Sequence, residues 1–136
     1  MAQMTTFGQG EAAEDDCLFC RIVRGEIPSD AVLATEHTYA FRDIAPAAPV
    51  HVLVVPKRHI GHAGAVTARD GPLLAEILES ARLVAEKEGV GERGYRLVFN
   101  VGEDAQNSVP HLHLHVLGGR RLGWPQGVGQ SRRGRP

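Results

Sequence analysis

The chain is poor in several things, and each shortage excludes something. It has two cysteines in 136 residues, too few for the disulfide framework of a small secreted domain. Its formal net charge is −1 and its sequence pI about 6.6, so no global charge excess draws it to nucleic acid or an anionic membrane. No apolar run approaches the roughly 20 residues that a membrane-spanning helix needs. The N-terminus has neither a basic start nor an apolar segment and does not read as a secretory signal. No Gly-Lys-Ser/Thr sequence supplies a phosphate-binding P-loop, and Gly61-His62-Ala63-Gly64 is too short to replace one. No internal repeat is evident. These absences leave an ordinary soluble domain, expected to be cytoplasmic, with no nucleic-acid or membrane partner.

The length suits one domain with one core. Residues 1–16 are polar and acidic and are expected to be a disordered leader. Residues 17–127 are expected to form the domain, and residues 128–136, rich in Gly, Gln and Arg, a flexible tail. Within the domain, Leu18, Phe19, Ile22 and Val23 cluster at helical spacing, and Gly25 and Pro28 end that short helix. Strands are expected at Ala31–Thr35, Thr38–Arg42, His51–Val55 and Tyr95–Val101. The stripe Leu74, Ile77, Leu78, Ala81, Val84 and Ala85 predicts one long helix over Val66–Glu88. Strands mostly adjacent in sequence and a single long helix predict an α+β domain: a five-stranded antiparallel sheet with one long and one short helix.

What the chain does have is concentrated in one place. His111-Leu112-His113-Leu114-His115-Val116-Leu117 places three of its seven histidines within five residues. In a strand, alternate side chains share a face, so the imidazoles stand together, about 6.6 Å apart in sequence-neighbour pairs. His111 and His115 are then roughly 13 Å apart along the strand, too far for all three to hold one ion. An adjacent pair could ligate a metal with help from elsewhere. Alternatively, the middle residue, His113, is a nucleophile toward phosphorus flanked by two supports.

Other residues surround this row with weaker signals. Asn100, Gln106, Asn107 and Ser108 precede it and offer neutral donors and acceptors, or ordinary turn chemistry. Phe19, Phe41 and Leu53 suit either a core or a pocket for a flat ring. Asp43 suits a sugar's hydroxyl pair or a turn cap. Cys17 and Cys20 leave metal binding, redox chemistry or packing open. A structural zinc needs two further ligands, with His37, His51, His59, His62 or the histidine row as candidates.

Taken in order, these motifs resemble the histidine-triad (HIT) family, whose signature is His-φ-His-φ-His-φ-φ with φ apolar. The resemblance extends to Cys17-Leu18-Phe19-Cys20-Arg21-Ile22-Val23-Arg24-Gly25-Glu26-Ile27-Pro28, to Ala40-Phe41-Arg42-Asp43-Ile44 and to His51-Val52-Leu53-Val54-Val55-Pro56-Lys57-Arg58-His59. Leu117-Gly118-Gly119-Arg120 and Trp124-Pro125 resemble the HINT branch, the purine-nucleoside phosphoramidases.

The resemblance implies hydrolysis at the α-phosphate of a purine nucleotide. His113 would attack phosphorus, and His111 and His115 would contact phosphate oxygens or the leaving group. Asn100, Asn107 and Ser108 would fix the phosphate and the leaving amine, and His51 would support the row. Asp43 would hold the ribose, with Phe19, Ile22, Phe41, Ile44 and Leu53 around the purine. No cofactor is implied for the chemistry. A structural zinc would sit on Cys17, Cys20, His59 and His111, a second duty for His111 that competes with the phosphate. A homodimer with a continuous sheet is implied, with Trp124 reaching the partner's site. Two residues depart from the family pattern: Gln106 replaces a glycine, and Pro110 an aromatic. The altered loop motivates the alternative of a nucleotide- or partner-binding module with little catalysis.

Overall fold

The computed structural model describes residues 16–125. The expected tail and nearly all of the expected leader lie outside them. The short helix α1 runs Leu18–Val23. Strands β1 (Ala31–Ala34), β2 (Thr38–Arg42) and β3 (Val50–Pro56) follow, then helix α2 (Gly71–Lys87), β4 (Tyr95–Val98) and β5 (Leu114–Gly118). The strands form one sheet in the order β1-β2-β3-β5-β4, and each neighbouring pair is antiparallel. The fold is the expected α+β architecture of five antiparallel strands with one long and one short helix.

The two faces of the sheet are divided by strand alternation. Val52 and Val54 of β3, Leu114 and Val116 of β5 and Ala40 of β2 face α2, where they pack with Ile77, Ala81 and Val84. Burying each of the larger aliphatic side chains contributes about 1.5–3 kcal/mol. Thr38 and Ser80 share a 2.7 Å hydrogen bond inside this layer, which satisfies two buried hydroxyls. On the opposite face, Phe41, Leu53 and Val55 pack against α1 through Cys17, Phe19, Cys20 and Ile22. Pairing of Leu53 with His115 and of His51 with Leu117 brings both histidines to this second face.

Three boundaries differ from expectation by more than one residue. The long helix begins at Gly71 rather than Val66, after a separate 3-10 turn at Ala68–Asp70. Pro72 has no N–H to donate back into an earlier turn, and Asp70 instead accepts from the Thr67 N–H at 2.9 Å. The fourth strand ends at Val98 rather than Val101. The histidine segment enters the ladder only at Leu114. Pro110 cannot donate, the His111 N–H turns back to Val109 O at 2.8 Å, and the Leu112 N–H goes to Ile60 O at 2.6 Å. No helix among the described residues is long and apolar enough to cross a membrane.

Gly119 follows β5 at φ +95, where a Cβ would come within 2.8 Å of Pro49 Cβ. Only glycine fits that turn, which closes the strand carrying the histidines against the start of β3.

Candidate active site

The histidine segment stands on the α1 face of the sheet, and its hydrogen bonds assign a tautomer to each ring. A ring nitrogen that faces a carbonyl must carry a proton, and one that faces an N–H must not. His113 Nδ1 lies 2.7 Å from the His111 carbonyl, so it donates, and the lone pair of the neutral ring is on Nε2. His111 Nε2 lies 2.9 Å from Pro56 O and donates there, so its Nδ1 lone pair points the other way.

The His115 end is fixed from β3. The Ala47 N–H donates to His51 Nδ1 at 2.9 Å, which leaves the His51 proton on Nε2. That proton is donated to His115 Nδ1, 2.9 Å away, which places the His115 proton on Nε2. The Asn100 amide nitrogen, Nδ2, lies 3.4 Å from this nitrogen; a proton on His115 Nε2 requires the amide to be flipped so that Oδ1 accepts it. Asp43 Oδ2 lies 3.5 Å from His51 Nε2, and Asp43 Oδ1 accepts from the Ala45 N–H at 2.8 Å. Asp43 therefore caps its turn and also faces His51. Burial pushes His115 and His111 each down to about 4. It lowers His51 too, against the pull of the Asp43 carboxylate. These three rings are neutral near pH 7, as the hydrogen-bond directions require.

The other end of the row is a thiol–imidazole cluster. Cys17, Cys20, His59 and His111 offer ligand atoms that all lie within 4.8 Å of one another. His111 Nδ1 is 3.3 Å from Cys17 Sγ and 3.5 Å from Cys20 Sγ, and His59 Nδ1 is 3.3 Å from Cys20 Sγ. The free lone pair of His111 is the one aimed at the sulfurs. Two sulfur and two nitrogen donors suit tetrahedral zinc. The expected phosphate contact of the His111 ring does not fit this arrangement. The residue is 0% exposed, and both of its nitrogens face protein atoms.

The other candidate residues separate into groups. Phe19, Ile22, Phe41 and Leu53 come together, but as a packed buried cluster rather than an open pocket. Phe19 sets its ring edge against His113 with centroids 5.1 Å apart. Ile44 stands outside this cluster and is fully exposed. Ser108 is exposed and Asn107 half-buried. The Asn107 Oδ1 atom is buried without a hydrogen-bond partner. Gln106 is left-handed at φ 62, the one non-glycine with positive φ among the described residues. Trp124 is 82% exposed, with the Arg96 guanidinium 5.5 Å from its ring centroid. A cavity of about 330 Å³ beside His37 and Glu76 and another of about 570 Å³ beside Arg82 and Tyr95 both lie away from the histidine row.

Sequence reasoning missed the groups that set the tautomers: the carbonyls of Pro56 and His111 and the Ala47 N–H. All three are main-chain atoms, which no residue type announces.

Comparison with known proteins gives concordant results. The family model described as HIT domain matches residues 24–122. An uncharacterised HIT-like protein of Synechococcus elongatus is 46% identical over 113 residues, covering 83% of this chain and 98% of that protein. The crystal structure of a HIT family hydrolase from Legionella pneumophila superposes with TM-score 0.80 at 50% identity, covering 82% of this chain and 100% of that one. A histidine triad nucleotide-binding protein from Candida albicans does so with TM-score 0.70 at 33% identity, covering 81% of this chain and 83% of that one.

Proposed function

The chain belongs to the HIT family, and from that premise we propose that it hydrolyses purine nucleoside phosphoramidates at the α-phosphate. The observation that carries this reading is the His113 tautomer. With Nδ1–H held by the His111 carbonyl at 2.7 Å, the Nε2 lone pair is free to attack phosphorus. Two relatives support the class: one is named a HIT family hydrolase, the other a histidine triad nucleotide-binding protein. The Leu117-Gly118-Gly119-Arg120 and Trp124-Pro125 sequences favour the phosphoramidase branch by resemblance.

In the first step, His113 Nε2 bonds to phosphorus and the P–N bond to the leaving amine breaks. The amine takes a proton from water at the exposed Ser108 hydroxyl. In the second step, water attacks the nucleotidyl-histidine, its proton passes to solvent, and the electron pair returns to Nε2. His115 donates its Nε2–H to a phosphate oxygen, and His51 holds it in that tautomer. Asn100 and Asn107 complete the phosphate site, where the unpartnered Asn107 Oδ1 suits an N–H of the leaving amine. Asp43 takes the ribose hydroxyls. Ile44 covers the purine from outside, and Phe19, Ile22, Phe41 and Leu53 form the floor beneath it.

Cys17, Cys20, His59 and His111 would hold a structural zinc, which would tie α1 to the histidine segment and take no part in the steps above. The edge strand β4 would pair with its copy in a homodimer, bringing Trp124 toward the partner's site. Two buried cysteines outside any disulfide suit the reducing cytoplasm.

The test is His113→Ala, assayed with adenosine phosphoramidate. Hydrolysis should vanish while adenosine monophosphate still binds. Turnover retained by the variant, or absent from the unaltered protein, would overturn the reading.

A further inference from the structure

The thiol–imidazole cluster and the nucleophile meet in one residue. His111 turns its Nδ1 to the two sulfurs, 3.3 and 3.5 Å away. It gives its carbonyl to the Nδ1–H of His113 at 2.7 Å. We propose that Cys17 and Cys20 are positioning residues for catalysis. By fixing His111 through a zinc ion, they hold the carbonyl that keeps the His113 lone pair on Nε2. This rests on the reading of His113 as nucleophile.

Four features tie the His111 carbonyl to the cluster. First, His111 lies outside the sheet ladder, which begins at Leu114, so strand pairing does not hold its carbonyl. Second, the main-chain anchors beside His111 are a tight return from its N–H to Val109 O, in a loop that also carries the left-handed Gln106, and the Leu112 N–H, on the same peptide unit as the His111 carbonyl, which donates to Ile60 O next to His59 of the cluster. Third, the ring is fastened at the far side by Pro56 O at 2.9 Å and by the edge of His59, centroids 5.0 Å apart. Fourth, Phe19 lies between the two cysteines in sequence and sets its ring against both His111 and His113. Cys17 and Cys20 are 2% and 6% exposed, so they reach a substrate only through these contacts.

The proton choice makes the coupling consequential. Which imidazole nitrogen is protonated is set by the hydrogen bond the other makes. If the His111 carbonyl shifts by a fraction of its 2.7 Å contact, His113 Nδ1–H loses its acceptor. The proton then also populates Nε2, and a protonated nitrogen cannot attack phosphorus. Ligation of His111 Nδ1 by zinc would pin the ring, and hence the carbonyl, in the productive place.

The experiment uses the full chain labelled with ¹⁵N-histidine. His113 is assigned by its disappearance from the His113→Ala spectrum. With zinc bound, its ring should show the Nδ1–H tautomer alone. Chelation should produce a mixture of tautomers in protein that remains folded by circular dichroism, and added zinc should reverse it. In parallel, kcat should fall about tenfold or more on chelation, with KM within about twofold. Cys20→His, which keeps a metal ligand, should retain the single tautomer in zinc, and Cys20→Ala should not. A tautomer identical with and without zinc overturns the proposal. So does a fall in kcat that only matches the fall in folded protein, or a chain that takes up no zinc. Because the tautomer is read without substrate, these outcomes are separate from loss of the phosphoramidase reading, which turnover by the unaltered chain and by His113→Ala decides.

Discussion

His111 and His115 begin as equivalent positions in one alternating motif and end in opposite chemistry. His111 is fully buried with its lone pair against two sulfurs. His115 is half-buried, takes a proton's hydrogen bond from His51, and points its own N–H toward Asn100 and the open side. The periodicity of the segment makes them look alike, and their neighbours make them different. A soft donor set surrounds one ring, and a chain of nitrogen donors fixes the tautomer of the other, which in the proposed mechanism stabilises charge. His113 sits between them and depends on each end for something else: its carbonyl acceptor from one, its electrostatic partner from the other.

The sharpest way to break this comparison is to chelate the zinc proposed for the His111 end. Chelation should destabilise the His111 end by about 4 kcal/mol, the linkage expected where free zinc stands about a thousandfold above its dissociation constant. Thermal unfolding with and without chelator measures it. Next in size, His115→Gln should cost about a hundredfold in kcat, the range for a positioned proton-bearing group. Its melting temperature should stay close to that of the unaltered chain, the reverse of the pattern at the other end. A variant that loses stability but not rate would make His115 structural.

A pH series should expose both ends of the metal-free protein. The fold lowers His111 and His115 from 6.5 to about 4, so it binds their protons more weakly than the unfolded chain does. As pH falls from 6.5 toward 4, the unfolded state takes up protons that the folded state refuses, and stability declines through that window. Urea midpoints should follow this slope, and His115→Gln should flatten it. The smallest effect concerns the loop that leads into the segment. Gln106→Gly relieves a left-handed residue but adds freedom to the unfolded chain, so the gain should stay below about 1 kcal/mol. A loss in that variant would show that the Gln106 side chain makes contacts that matter.

Much of the fold was legible because periodicity decides it. The β-branched run His51–Val55 marks a buried strand, the alternation of Leu112, Leu114 and Val116 with the histidines marks a two-faced segment, and the stripe from Leu74 to Ala85 marks the long helix. The boundaries were less so. Pro72 and Pro110 each remove a donor, and where the chain then finds its partners is settled by distant residues such as Ile60. The site was half legible for the same reason. Residue types and order pointed to His113, His51 and the cysteines, but not to the division of labour between His111 and His115. That division depends on Pro56 O and Ala47 N–H, atoms every sequence contains.

Those main-chain partners have a genetic consequence. A point substitution can delete an imidazole or a thiol, but it cannot delete the carbonyl of Pro56 or of His111. A single-residue insertion between His111 and His113 would leave all the histidines present and still change which carbonyl the His113 ring meets. The main-chain contacts that set the tautomers are thus robust to misspelling and fragile to misalignment. Variation in the surrounding loops is expected to come as exchanged letters at fixed length.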